Sequence, residues 1–301
     1  MVWGMALSGG GILGAAHLGV LAELDAMDLR PAVLAGTSAG GLVALALAAG
    51  VGLDDLTAFG ADVARRPLEY FSPQVVRLAL ELLPWDPEAP ATGLIDPSRF
   101  IQALARLAGA TADLTSLRLP CAVPSVDLRA LEAVAFVGGL GDAPVPRPDG
   151  WQMETRAPIA TALWATMAEP GLFVPLDAPP RLFVDGGVAD TLPVDWARRL
   201  GADRILAVNV AAPAAPPRRF DILSVLERSE AYAIATLSAL RERPSDDVLV
   251  LAPDTSGVGF PGLSAYPRLV EAGRQVVRQE AAAIRRFLTP GTPGQEGPAA
   301  G

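Results

Sequence analysis

The segment Gly36-Thr37-Ser38-Ala39-Gly40 fits the pattern G-x-S-x-G. An apolar run, Ala32–Ala35, precedes it, and an Ala/Leu-rich stretch, Ala39–Ala49, follows it. The serine therefore falls on a turn between a strand and a helix, the context in which this pattern forms a nucleophile elbow. So tight a turn strains the backbone and holds the hydroxyl out at the carboxyl end of a sheet, while Gly36 and Gly40 leave room for neighbouring chain. The chemistry on offer is attack of Ser38 on an acyl carbon. A plainer use of the same residues is a glycine-rich turn in which Ser38 caps the following helix.

A second cluster, Ser8-Gly9-Gly10-Gly11, also lies after an apolar run and before a helical pattern. Successive glycine N–H groups at a helix N-terminus make an anion-binding nest. In acyl transfer, Gly9, Gly10 and Gly11 would stabilise the oxyanion of a tetrahedral intermediate. Gly9, Gly11 and Gly14 also satisfy G-x-G-x-x-G, so a dinucleotide-binding reading competes. That reading expects an acidic residue at the end of the second strand to hold a ribose. Here the second strand runs into Gly36-Thr37-Ser38, and Asp28 precedes it.

The third cluster is Asp185-Gly186-Gly187, directly after the apolar strand Arg181–Val184. A serine hydroxyl needs a base. Asp185 closes a strand, as Ser38 does, and both are expected at one edge of the sheet, with Gly186 and Gly187 supporting the carboxylate. The single histidine, His17, is the alternative base, but it lies inside the first helix, where packing or a local hydrogen bond is its expected role.

The elements that position these clusters alternate along the first third. Val2–Leu7 is expected as a strand, Ser8–Gly11 as a loop, Ile12–Met27 as a helix, Ala32–Ala35 as a strand and Ala39–Ala49 as a helix. This order predicts a parallel sheet with right-handed crossovers. Leu53–Arg65 and Pro97–Ala108 read as helices. Between them Glu69–Asp96 carries Pro73, Pro84, Pro87 and Pro90 around an apolar patch, Val75–Leu83, that ends at Trp85. It reads either as a cap-like excursion beside the site or as a surface helix. Leu119–Val126 and Glu132–Val137 are expected strands, Gly138–Gly150 a loop and Ile159–Met167 a helix before the turn Glu169-Pro170-Gly171. Further on, Pro193–Leu200 is a short helix, Arg204–Val210 and Val248–Leu251 are strands, and Ile222–Arg241 and Leu263–Phe287 are helices. Residues 1–288 are expected to form one domain. Thr289–Gly301, rich in Pro, Gly and Ala, is expected to be disordered.

Composition narrows the function classes. The chain has 301 residues, 51% of them hydrophobic, enough for one large α/β core. All 24 basic residues are Arg, and the formal net charge is -9, which argues against nucleic acid and anionic membranes as electrostatic partners. One Cys and one His exclude an intrachain disulfide and Cys-rich or multi-His metal sites. Val33–Leu53 is uncharged, but its glycines argue for a strand, turn and buried helix over a transmembrane span. No basic leader precedes the first strand, so the expected location is cytoplasmic.

Together these blocks resemble the patatin-like phospholipases. Ala6 to Gly11 with Gly14-Ala15-Ala16-His17-Leu18-Gly19-Val20-Leu21 is similar to the family's oxyanion-hole segment. Gly36 to Gly40 is similar to its nucleophile elbow. Glu169-Pro170-Gly171-Leu172-Phe173-Val174-Pro175 resembles its turn before the catalytic strand, and Asp185-Gly186-Gly187 with Leu192-Pro193-Val194 the segment that supplies its acid. The resemblance implies a three-layer α/β/α sandwich with a mainly parallel central sheet, a Ser38–Asp185 dyad, no cofactor and hydrolysis of lipid acyl esters. It also implies peripheral contact with lipid aggregates. Two positions depart from the pattern. Leu13 stands where the family has a basic residue, and Thr191 where it has Asn. Leu13 removes a partner for a phosphate and favours a neutral or short acyl ester. Two other classes remain in competition: a dinucleotide-dependent oxidoreductase, and a catalytically silent lipid-binding scaffold.

Overall fold

In chain order the computed structural model has β1 (Trp3–Leu7), α1 (Ala15–Ala26), β2 (Val33–Gly36), α2 (Ala39–Ala48), α3 (Leu53–Arg65), α4 (Pro67–Tyr70), β3 (Ser72–Pro73), β4 (Gly93–Asp96) and α5 (Ser98–Leu107). There follow β5 (Cys121–Asp127), β6 (Glu132–Gly138), β7 (Trp151–Glu154), α6 (Ile159–Met167), β8 (Gly171–Phe173), β9 (Leu176–Ala178), β10 (Arg181–Asp185), α7 (Val194–Arg199), β11 (Arg204–Val208), β12 (Val248–Leu251) and α8 (Tyr266–Leu288). The structure describes residues 1–74, 92–109, 112–141, 144–210, 245–259 and 262–289, with isolated helical positions between 225 and 236. The expected patch Val75–Leu83 with Trp85, most of the expected helix Ile222–Arg241, and the tail beyond residue 289 lie outside the described residues.

Residue size alternates along the central strands, and the alternation assigns the two faces of the sheet. Met5 and Leu7 of β1, Leu34 of β2, Val123 of β5, and Leu206 and Val208 of β11 join the larger core. Helices α1, α2, α3, α5, α6 and α8 cover that face. Ala6, Ala35, Ala122, Ala135 and Ala207 line the opposite face, where the short α7 packs with the buried ring of Trp196. The result is the three-layer α/β/α sandwich. Among the described residues no helix is long and apolar enough to cross a membrane. Val33–Leu53 divides into β2, a turn and α2.

Among the described residues the main sheet has nine strands, in the order β12-β11-β1-β2-β5-β10-β9, with β6 on β5 and β7 on β6. The run from β12 to β5 is parallel. Strand β6 pairs antiparallel with β5 along its whole length, Cys121↔Gly138 to Asp127↔Glu132, and so takes one edge of β5. The other edge is shared. Strand β2 pairs with its beginning, Leu34↔Cys121 and Ala35↔Ala122, and β10 pairs antiparallel with its end, Phe183↔Asp127 to Asp185↔Ser125. Strands β2 and β10 therefore run toward each other along one edge of β5. The expectation that both end at the same edge of a parallel sheet is corrected: their carboxyl ends meet head-on.

A small three-stranded sheet, β3-β4-β8, was not anticipated from sequence. Ser72↔Asp96 and Pro73↔Ile95 close the base of the excursion, and Gly93↔Gly171 and Ile95↔Phe173 fasten it to β8. Phe71 stacks on Phe100 at 5.1 Å and meets Phe173 at 5.8 Å, which packs this base against α5 and β8.

Helices α1 and α8 pack through reciprocal glycines. A Cβ at Gly19 would stand 1.8 Å from the Val270 carbonyl oxygen, and one at Gly273 1.9 Å from that of Ala16. Gly273→Ala should cost about 1–3 kcal/mol, the range for overpacking a filled interior. Urea denaturation checks this, with Gly259→Ala, at a position facing open space, as the control. Equal midpoints for the two variants would contradict the close helix approach.

Candidate active site

Ser38 sits at the junction of β2 and α2 with φ 52° and ψ −124°, a left-handed conformation rare for a residue with a side chain. The turn closes only because its flanks are glycine. A Cβ on Gly36 would lie 2.3 Å from the Gly40 carbonyl oxygen, and one on Gly40 2.3 Å from that of Leu7. Ser38 occupies the N-cap position of α2, yet its side chain makes no capping hydrogen bond. The plainer reading of the motif, a helix-capping serine, is thereby removed. Instead the half-buried Ser38 donates its backbone N–H to Thr166 Oγ1 at 3.1 Å.

The glycine loop leaves the end of β1 beside this turn. Ser8 N–H donates to Val208 O at 3.0 Å, and Gly9 N–H to Thr191 O at 3.0 Å. A Cβ on Gly9 would lie 3.3 Å from Ser38 Cβ. The chain climbs from the buried Gly9 to the exposed Gly11. Gly10 at φ 153° and Gly11 at φ 54° take up backbone conformations that suit glycine. Their N–H groups have no acceptor among the described residues, whereas that of Gly9 is already engaged.

Asp185 is buried at the end of β10. Its Oδ1 accepts the Gly187 N–H at 2.7 Å, and its own N–H donates to Ala168 O at 2.9 Å. Gly186 passes so close to β5 that a Cβ would stand 2.2 Å from Pro124 O. The segment after Asp185 then returns to both other motifs. Asp190 O accepts from Thr37 Oγ1 at 2.7 Å, and Thr191 O holds Gly9. The last β2–β5 pair is Ala35↔Ala122 and the last β10–β5 pair is Asp185↔Ser125, so the two carboxyl ends face each other three positions apart along β5. The fold thus gathers all three sequence clusters.

His17 is fully buried in α1. Its Nε2 donates to Ser8 O at 2.9 Å, which leaves Nδ1 as a buried acceptor without a hydrogen-bond partner among the described residues. Burial pushes its pKa down to about 4, and the Ser8 carbonyl only partly offsets that. The consequence for stability has a definite sign. Above pH 6.5 the ring is neutral both folded and unfolded. Between pH 6.5 and about 4 only the unfolded chain takes the proton, so stability falls as the pH falls through that window. The loss is on the order of 3 kcal/mol at about 1.4 kcal/mol per pKa unit. Urea titrations from pH 7 to pH 4 should show it, and His17→Gln should flatten that part of the profile. An equal slope in both proteins would contradict the assignment. Cys121 is also fully buried, and burial raises its thiol pKa far above the usual range, so it supplies no thiolate.

Two buried hydroxyls at this site were missed from sequence. Ser125 Oγ bridges Ala165 O at 3.1 Å and Val184 O at 2.8 Å, and Thr166 receives Ser38. The signal was present: each is a polar residue in an otherwise apolar buried element, and such a group needs a partner.

Uncharacterized NTE family proteins of Mycobacterium tuberculosis and Mycobacterium bovis are each 28% identical over 215 residues, 71% of this chain and 51% of theirs. The chain thus spans about half the length of the curated relatives it matches. Among solved structures, VipD from Legionella pneumophila aligns with a TM-score of 0.47 and 16% identity, over 94% of this chain and 67% of VipD. Human GIVD cytosolic phospholipase A2, solved with methyl gamma-linolenyl fluorophosphonate, aligns with a TM-score of 0.45 and 15% identity, over 95% of this chain and 58% of its own. A family model, patatin-like phospholipase, matches residues 5–198, a span that takes in the glycine loop, the Ser38 turn, Asp185 and most of α7. With all of these inside one match across most of its length, the chain belongs to the patatin-like phospholipase family.

Proposed function

We propose that this protein is a serine acyl-hydrolase that cleaves carboxylic esters of lipids, with Ser38 as nucleophile and Asp185 as base. The observation that supports the reading is the head-on approach of β2 and β10 along one edge of β5, which points the Ser38 turn and Asp185 toward each other. In this reading Asp185 takes the proton of Ser38 as Oγ bonds to the ester carbonyl carbon. The carbonyl oxygen becomes an oxyanion facing the N–H groups of Gly10 and Gly11, at the positive end of the helical run that leads into α1. Gly9 is left with a structural role, because Thr191 O already holds its N–H. Collapse breaks the bond to the alcohol, which leaves with the proton from Asp185. Water, deprotonated by Asp185, then releases the acid and restores Ser38.

The surroundings of the glycine loop favour an apolar substrate. Ile12, Leu13 and Val210 all pack into the core cluster beside it, and Leu13 offers no charge to a phosphate. A neutral or short acyl ester is the preferred substrate, and contact with lipid aggregates is peripheral. Residues 1–288 act as one domain.

An alkyl fluorophosphonate provides the test, because only an activated serine forms the phosphonyl adduct. Peptide mapping should place the adduct on Ser38, and a panel of p-nitrophenyl esters and phospholipids then ranks substrates. A protein that stays unlabelled would leave the silent scaffold standing, and NAD-dependent turnover without labelling would favour the oxidoreductase.

A further inference from the structure

We infer that Thr166 is a positioning residue for the Ser38 hydroxyl, through the backbone and without touching substrate. The inference rests on the reading of Ser38 as nucleophile. At φ 52° the Ser38 N–H belongs neither to the β2 ladder nor to the α2 hydrogen-bond series. Its acceptor is Thr166 Oγ1, at 3.1 Å. That bond fixes the plane of the Thr37–Ser38 peptide. The plane in turn sets the direction of the Cα–Cβ bond, and hence where Oγ can stand.

Thr166 is itself immobilised. It is fully buried, and a Cβ on Gly41 would lie 2.9 Å from its Oγ1 and 3.0 Å from its Cγ2, so α2 passes close to both arms of the side chain only because position 41 is glycine. The same stretch of chain is fastened to the acid. Ser125 Oγ stands 2.8 Å from Val184 O, next to Asp185, and 3.1 Å from Ala165 O, and its one proton is shared between the two carbonyls. Ala168 O accepts from Asp185 N–H. Residues 166–168 thus hold the Ser38 N–H through Thr166 and the Asp185 N–H through Ala168. The end of α6 works as a bracket that sets nucleophile and base relative to each other.

Thr166→Val keeps the volume and removes the acceptor, while Thr166→Ser keeps the acceptor and removes the methyl. With a soluble p-nitrophenyl ester, Thr166→Val should lower kcat by roughly 10- to 100-fold, the scale of a small misplacement of reacting groups, and change KM little. The rate constant for fluorophosphonate labelling of Ser38 should fall by a similar factor. Thr166→Ser should restore both to within about threefold of wild type. A merely structural role would lower the folded fraction but not the labelling rate constant, which is a property of the folded molecules alone. If Thr166→Val folds too poorly to assay, Thr166→Ala read by that rate constant serves in its place. Labelling of either hydroxyl-free variant at the wild-type rate would overturn the assignment, as would failure of Thr166→Ser to restore it. If wild-type protein is not labelled at Ser38, the nucleophile reading itself fails, an outcome distinct from both.

Discussion

Ser38→Ala should abolish ester hydrolysis and fluorophosphonate labelling while leaving the protein folded. The rate should fall by about 10⁴ or more, because loss of the nucleophile leaves only binding and oxyanion stabilisation. Stability should hardly change. The Ser38 side chain makes no capping bond to α2, and alanine meets the same steric cost as serine at φ 52°. The Ser38 N–H still reaches Thr166, because the substitution does not touch the backbone. Activity on a short-chain ester, labelling stoichiometry and thermal melting, measured on one preparation, separate the two effects. Turnover near the wild-type rate in folded Ser38→Ala would move the nucleophile elsewhere.

Asp185→Asn should be nearly as damaging, with a loss of about 10²–10⁴, the usual cost of removing a general base. The substitution is close to isosteric, and the Asn carbonyl can still accept the Gly187 N–H that Asp185 accepts at 2.7 Å. What it lacks is the capacity to take the Ser38 proton. His17→Gln is the informative partner. Glutamine retains a donor for the Ser8 carbonyl, and His17 makes no other hydrogen bond among the described residues. Its activity should stay within about tenfold of wild type, well short of what removing a base costs. If folded His17→Gln loses as much as Asp185→Asn, the dyad is wrong and a histidine-based mechanism replaces it.

Much of the site was readable from sequence because its parts are local. A serine between two glycines, after an apolar strand and before a helix, specifies its own turn: Gly36 and Gly40 are needed where the chain passes within 2.3 Å of a would-be Cβ. The glycine loop and the Asp-Gly-Gly turn are local in the same sense. What escaped sequence reading is what depends on partners. Strands β3, β4, β8 and β9 are short, and pairing with remote chain stabilises them more than their own pattern does. Thr166 and Ser125 looked like minor polar residues until their acceptors and donors were placed.

By itself, then, the sequence determined the strand–turn–helix units, the residues with chemical potential and the family they resemble. Tertiary structure decided how those units face one another. An apolar strand such as Arg181–Asp185 has the same pattern whether it runs parallel or antiparallel to its neighbour, so nothing local announces its direction. In the fold, β6 fills one edge of β5, and β2 and β10 are left to share the other from opposite ends. That division of one strand edge, a consequence of hydrogen-bond saturation between strands remote in sequence, is what turns the carboxyl ends of β2 and β10 toward each other.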